Sequence, residues 1–202
     1  MNRLPLWKLT RNPVGRALYD RVSGRGLQFA SLELYRRPAD TDEGTADSSA
    51  TAGDDSARLE FTVHESAATV DADVPYKPAE ADEADLLVLG HLDGEVVGQV
   101  FLNRDETYVH ELEARLSIDG AYVWRLYVDP DYRNRGFGAE LLAGAIAAVR
   151  DRWGVVDLYA LIADDNLPSR RLFEGHGFVP ESQFRYVRVG AFSKRWQSPS
   201  QR

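Results

Sequence analysis

The chain has 202 residues, 44% of them hydrophobic, a formal net charge of −8 and no cysteine. That length fits one good-sized domain with extensions and is too short for two ordinary domains with separate cores. The missing thiols exclude disulfides, thiolate zinc sites, iron–sulfur clusters and a cysteine nucleophile.

The charge is unevenly spread. Residues 1–37 carry a net +6, residues 38–110 a net −15 and residues 111–202 a net +1. An acidic chain argues against a nucleic-acid partner, because phosphate binding needs a basic face. Three lysines (Lys8, Lys77 and Lys194) stand against 21 arginines. Many aspartates with few lysines suit a salt-adapted protein, although high-GC coding also favours arginine. Met1–Asn12 has no apolar stretch of the kind a signal peptide carries. The longest apolar run, Leu141–Val149, is far below the ~20 residues of a membrane span. A cytoplasmic protein with no membrane partner is expected.

In chain order, Asn12–Val22 reads as a helix with Pro13 at its start, and Leu27–Tyr35 alternates as a strand. Residues 1–37 form an N-terminal extension that is expected to pack on the domain. Pro38–Ser56 has no large apolar side chain and reads as a flexible acidic loop. Residues 57–195 form the main domain. Asp71–Asp85 reads as loop with room for a short helix. Asp93-Gly94 between Leu86–Leu92 and Glu95–Leu102 predicts a hairpin. Val109, Leu112 and Leu116 fit a helical face. Tyr122–Val128 follows a second Asp-Gly pair, Asp119-Gly120, and reads as a strand. Gly138–Arg150 is an amphipathic helix, with Leu141, Leu142, Ala145 and Val149 on one side. Val155–Ala160 is a short strand. Asn166–His176 is a helix with an Asn cap, an early proline and Gly177 to stop it. Gln183–Val189 is a last strand. An antiparallel meander followed by β-α-β-α-β implies a mixed α/β sheet with one parallel crossover.

The chemistry concentrates in Leu126–Leu142. A strand ends at Pro130, and Arg133-Asn134-Arg135-Gly136-Phe137-Gly138 runs straight into a helix. Glycines allow close backbone approach to a ligand. The unpaired amides of the first helical turn and the helix dipole favour a phosphate or pyrophosphate, and Arg133 and Arg135 add charge. A tight strand–helix turn alone would also use these glycines. No Gly-Lys-Ser/Thr follows, so this is not a P-loop, and the third glycine of a dinucleotide fingerprint is absent.

Val128-Asp129-Pro130 followed by Arg133-x-x-Gly136-x-Gly138, with Asn166–Phe178 as an Asn-led helix ending in Gly-Phe, resembles the GCN5-related N-acetyltransferase (GNAT) superfamily over residues 86–190. The resemblance implies a splayed parallel strand pair, the first strand bulged, that holds the pantetheine arm of acetyl-CoA as a cosubstrate. It implies that the Leu126 amide polarises the thioester carbonyl and the Val128 amide meets pantetheine. The diphosphate would lie on Arg133, Asn134, Arg135, Gly136, Phe137, Gly138 and Ala139, with Asn166, Ser169 and Phe173 along the arm. The implied activity is transfer of an acetyl group to an amine, small-molecule or peptide, by direct attack in a ternary complex. A non-catalytic coenzyme A-binding module on the same fold is the alternative. Monomer and homodimer both remain open.

The chain departs from the family at two points. Phe173 stands where many members carry a proton-donating tyrosine, which leaves Tyr127, Tyr132 and Tyr159 as candidates. Tyr122 stands where some carry a glutamate base, which leaves Glu111, Glu113 and Asp157 acting through water. His64, His91, His110 and His176 lack the spacing of a metal pair, so no metal is expected. His176 reads as a helix-end residue, and Phe101, Tyr122 and Trp124 read as core or cleft wall.

Overall fold

Asp93 and Gly94 both adopt positive φ, 52° and 83°, and close the hairpin that the Asp-Gly pair predicted. They join β3 (Leu86–Leu92) to β4 (Glu95–Val109). The computed structural model describes residues 27–41, 58–66, 70, 74 and 85–200. The expected helix Asn12–Val22 lies outside them, as do most of the Pro38–Ser56 and Asp71–Asp85 segments.

The remaining elements are β1 (Leu27–Arg37), β2 (Glu60–His64), β5 (Ala114–Val128), α1 (Phe137–Trp153), β6 (Leu158–Ala163), α2 (Leu167–Glu174), β7 (Val179–Val189) and β8 (Phe192–Pro199). They form one mixed eight-stranded sheet in the order β2-β3-β4-β5-β6-β1-β7-β8. β5 and β6 are parallel, as the crossover through α1 requires. None of the described helices is long and apolar enough to cross a membrane.

Three features differ from the sequence reading. Val109, Leu112 and Leu116 do not share a helix. β4 runs to Val109, a single 3-10 turn covers His110–Leu112, and β5 begins at Ala114. Thr107 faces Leu116 and Val109 faces Ala114 across the ladder, so period-two pairing overrides the spacing that suggested a helix. Asp119-Gly120 is not a turn. It lies inside β5, where Ala121 donates to the Asp157 carbonyl at 2.8 Å. A Cβ on Gly120 would stand 2.3 Å from that same oxygen, so only glycine lets the two chains meet there. Finally, β1 does not pack on the outside of the domain. It is an interior strand, antiparallel to both β6 and β7.

Both faces of the sheet centre are covered, which is why Leu86–Leu89 reads as a continuous apolar run. Leu141, Leu142, Ala145 and Val149 of α1 pack on Val88, Val100, Leu102, Val123, Ala160 and Ile162, with Phe173 and Phe178 closing the α2 side. On the other face, Leu87, Leu89 and Phe101 form one cluster and Leu32, Val109, Leu112 and Tyr186 another.

Asp157 holds the β1–β6 corner. Its Oδ2 accepts from Arg36 at 2.7 Å (Nε) and 2.6 Å (Nη2), and its Oδ1 accepts from the Ala39 amide at 2.7 Å. Asp157→Ala leaves that amide and guanidinium unmatched. The expected cost is about 1–3 kcal/mol, a thermal midpoint lower by several degrees. An unchanged midpoint in scanning calorimetry would contradict this anchoring role.

Candidate active site

β5 and β6 pair at Ala121↔Leu158 and Tyr122↔Tyr159 and then part. On its other side β5 carries a bulge. Phe101 faces Trp124 and Gln99 faces Tyr127, so Arg125 and Leu126 together oppose Val100. Arg125 takes φ 51°, a left-handed conformation, to make the extra residue fit. The bulge changes which amides face the opening. Below it, Ala121 points its N–H toward β6. Above it, Asp129 donates to Val97 on β4 at 2.9 Å. Alternation along extended backbone then turns the Tyr127 amide toward β4 and the Leu126 and Val128 amides toward the gap.

At the top of the gap the chain turns into α1. Asp129 accepts from the Asp131 amide at 2.9 Å and starts a 3-10 turn over Pro130–Tyr132. Arg133 ties the turn to the strand, its Nε donating to the Val128 carbonyl at 2.8 Å while its guanidinium lies over Tyr127. Arg135 donates to the Asp131 carbonyl at 3.2 Å and lies over Tyr132. Asn134 and Gly136 take φ 63° and 87°. Among the described residues, no side chain caps the helix at Gly136, and the amides of Asn134, Arg135, Gly136, Phe137 and Gly138 have no protein acceptor. Consecutive amides in such a turn at a helix N-terminus form an anion cradle. Ala139 differs from the rest of the expected set, because its amide donates to the Gly136 carbonyl at 2.8 Å. The Phe137 side chain also turns away, into a buried cluster with Leu59 and Val97 that anchors the loop.

A cleft of about 1010 Å³ runs from Leu126 to the far ends of β4 and β5, and Val128 and residues 133–139 are not part of its lining. Leu126, Asn166, Ser169 and Phe173 border it, as does the stretch Tyr122–Arg125. Asn166 caps α2, its Oδ1 accepting from Ser169 at 3.4 Å, which leaves its Nδ2 to donate. Phe173 is buried edge-to-face against Phe178 yet still borders the cleft. The acid–base candidates separate clearly. Asp157 is the corner anchor described above. Glu113 accepts from Tyr186 at 2.7 Å and Arg188 at 2.6 Å. The Tyr186 hydroxyl and Arg188 hold its carboxyl below the usual range. Glu111 borders the cleft, whereas Tyr127, Tyr132 and Tyr159 do not. Tyr132 instead donates to Glu95 at 3.2 Å.

The residue that sequence reasoning undervalued is Tyr122, which forms the cleft floor where β5 and β6 part. Burial first, then the Glu111 carboxylate, push its phenol well above the ordinary tyrosine value. The Leu161 backbone and Arg125 oppose that shift. Burial therefore favours the neutral phenol at Tyr122. Its place opposite the parallel crossover was the available signal. His64, His91, His110 and His176 gather no metal group, and no cluster of three or more potential ligands exists among the described residues. His176 instead bridges two helices, its Nδ1 near Leu172 O at 2.8 Å and its Nε2 near Ala139 O at 3.1 Å.

A bulged strand splayed from its parallel neighbour, with a turn of unmatched amides before α1, sits in a mixed α/β sheet. The profile of the acetyltransferase (GNAT) family matches residues 54–178, more than half of the chain. The chain belongs to that family. It is similar to an L-2,4-diaminobutyric acid acetyltransferase of Streptomyces avermitilis, 41% identical over 54 residues, which is 27% of this chain and 30% of the relative. A GCN5-related N-acetyltransferase-like protein from Streptococcus suis shares the fold at 16% identity, with a TM-score of 0.51 over 87% of this chain and 67% of that one. A GNAT-family protein from Novosphingobium aromaticivorans does so at 19% identity and a TM-score of 0.50, over 82% of this chain and 66% of that one.

Proposed function

We propose that this protein is an acetyl-CoA-dependent N-acetyltransferase that acts in a ternary complex. The observation that carries the reading is the run of unmatched amides from Asn134 to Gly138, set directly above amides of Leu126 and Val128 that face the same gap. Acetyl-CoA, when bound, supplies the thioester: the amine nitrogen bonds to its carbonyl carbon, the carbon–sulfur bond breaks, and the proton lost by nitrogen ends on sulfur.

The chain's own residues do the positioning. The 134–138 amides hold the diphosphate, and Arg133 and Arg135 fix the shape of the turn and add positive charge. The Val128 amide and the Asn166 Nδ2 hold the pantetheine arm as an added strand between β5 and β6. Ser169 and the Phe173 ring border its path. The Leu126 amide stabilises the charge that develops on the carbonyl oxygen. Phe173 has no proton to give, so the reaction does not depend on a tyrosine on α2. The acceptor is an amine, and the diamino acid in the short-matching relative's name is one member of that class. The acidic, lysine-poor composition supports work in a saline cytoplasm.

The test is calorimetric titration with acetyl-CoA at low and molar potassium chloride, with thiol release measured over a panel of amines. Stoichiometric binding and amine-dependent release are expected. Absence of binding at both salt levels overturns the reading. Binding without release from any amine assigns the fold to a coenzyme A-binding module.

A further inference from the structure

The acceptor end of the cleft is not uniformly acidic. Among its charged lining residues, Glu106 is paired with Arg115 at 2.6 Å, and Glu111 and Arg125 line the same cavity as Tyr122. Glu111 comes from the short turn after β4 and Arg125 from the bulge of β5, so two separate elements deliver opposite charges to one cavity.

A second observation comes from the wall beside them. Phe101 faces Trp124, and Asn103 faces Tyr122, across the β4–β5 ladder. These four side chains share one face of the sheet, the face away from α1. On that wall the Trp124 Nε1 donor and the Asn103 Oδ1 acceptor are both shielded from solvent, and neither is matched by any group among the described residues. The Asn103 amide is oriented by its Nδ2 donating to Thr107 Oγ1 at 3.3 Å, which leaves the oxygen as the unmatched end. A buried polar atom without a partner is costly, and native folds keep few of them without a reason. The wall therefore carries one unmatched donor and one unmatched acceptor in the same cavity that Arg125 and Glu111 line with opposite charges.

We propose that the acceptor amine is a small amino-carboxylate. Its carboxylate is received on the Arg125 and Trp124 side, and its ammonium on the Glu111 and Asn103 side above the Tyr122 floor. This rests on the acetyl-transfer reading and names its substrate class. A diamino acid fits most fully, because one amine can stay charged at Glu111 while the other attacks the thioester. A pure polycation is disfavoured, because Arg125 repels it and the Trp124 donor stays unmatched. Glu111 and Arg125 are specificity-determining residues in this account.

The experiment compares matched pairs that differ by one carboxylate: ornithine against putrescine, and lysine against cadaverine. Acetyl-CoA-dependent thiol release is followed under saturating acetyl-CoA. The carboxylated member of each pair is expected to have a kcat/KM about 10- to 100-fold higher, the range of a charge-assisted hydrogen-bonded contact. Arg125→Gln is expected to shrink that ratio at least about tenfold, chiefly through the KM of the carboxylated member. Glu111→Gln is expected to raise KM for both members and to leave the ratio standing. Equal or better use of the decarboxylated diamines overturns the proposal. So does a ratio that survives Arg125→Gln, or acetylation confined to polyamines and aminoglycosides. Failure of the acetyl-transfer reading is seen separately, as absence of acetyl-CoA binding in the calorimeter. If acetyl-CoA binds and none of the four amines is acetylated, the substrate proposal falls while the cofactor site stands.

Discussion

Replacing Leu126 by proline is expected to lower kcat for acetyl transfer by about 10²–10³-fold, the usual cost of one oxyanion donor. Affinity for free coenzyme A should stay within a few-fold. The two readouts part because free coenzyme A has no thioester carbonyl. On the proposed reading it keeps the diphosphate for the 134–138 amides and the pantetheine arm for the Val128 amide. Proline removes one amide hydrogen. At most positions in a sheet that hydrogen belongs to a ladder, and the fold would suffer. Here Leu126 lies at the bulge, out of register with β4, and β6 has already parted at Tyr122↔Tyr159. Bulges are among the places where strands tolerate proline. The residue before a proline is restricted, and Arg125 already sits at φ 51°. The melting midpoint and coenzyme A binding are therefore measured on the same preparation. Leu126→Ala keeps the amide and should retain turnover within a few-fold. A folded, coenzyme A-binding Leu126→Pro enzyme with nearly full kcat would remove this amide from the chemistry.

Much of the fold was legible because its signals are local. The Asp93-Gly94 turn, the amphipathic stripe Leu141–Val149 and the Asn166 cap each state their element within a few residues. All three appear in the structure. What the sequence hid is non-local. The place of β1 between β6 and β7 depends on partners more than 100 residues away, such as Tyr35↔Ala160. Nothing in Leu27–Arg37 itself distinguishes an interior strand from an added one. β8, with all eight residues exposed, has no buried face to produce alternation, so it leaves no periodic trace.

The site divides in the same way. The turn before α1 is written in glycines and arginines, because backbone conformation at positive φ constrains residue type. The bulge is not, because Arg125 and Leu126 are ordinary strand residues and the extra residue shows only when Gln99–Phe101 is laid against Trp124–Tyr127. The base candidates could not be sorted by composition either. Glu111, Glu113 and Asp157 are all acidic and all near the motif. Asp157 is spent on Arg36 and Ala39, and Glu113 on Tyr186 and Arg188, which leaves Glu111 facing the cleft.

Gly136→Val is expected to weaken acetyl-CoA binding by about 10²-fold and to lower stability only modestly. Gly136 holds φ 87°, and a Cβ placed there meets no heavy atom of the described residues within 4 Å, so packing gives no reason for glycine at that point. The reason is the backbone conformation, which a β-branched residue tolerates poorly. Holding valine there stores about 1–3 kcal/mol. The turn can release that strain by rotating to negative φ, because packing does not resist the change. Rotation swings the Gly136 and Phe137 amides away from the cradle, and losing one or two charge-assisted hydrogen bonds accounts for the expected loss of affinity. The control is Gly190→Val in the β7–β8 turn. Gly190 also has positive φ, 60°, and a Cβ added to it likewise meets no heavy atom of the described residues within 4 Å. It lies in the hairpin at the opposite edge of the sheet from β2–β4. Both variants should lose stability to a similar extent, whereas the binding loss should be confined to Gly136→Val. Calorimetric titration of the two proteins decides the matter. Equal affinities would mean that the diphosphate is held somewhere other than at the start of α1.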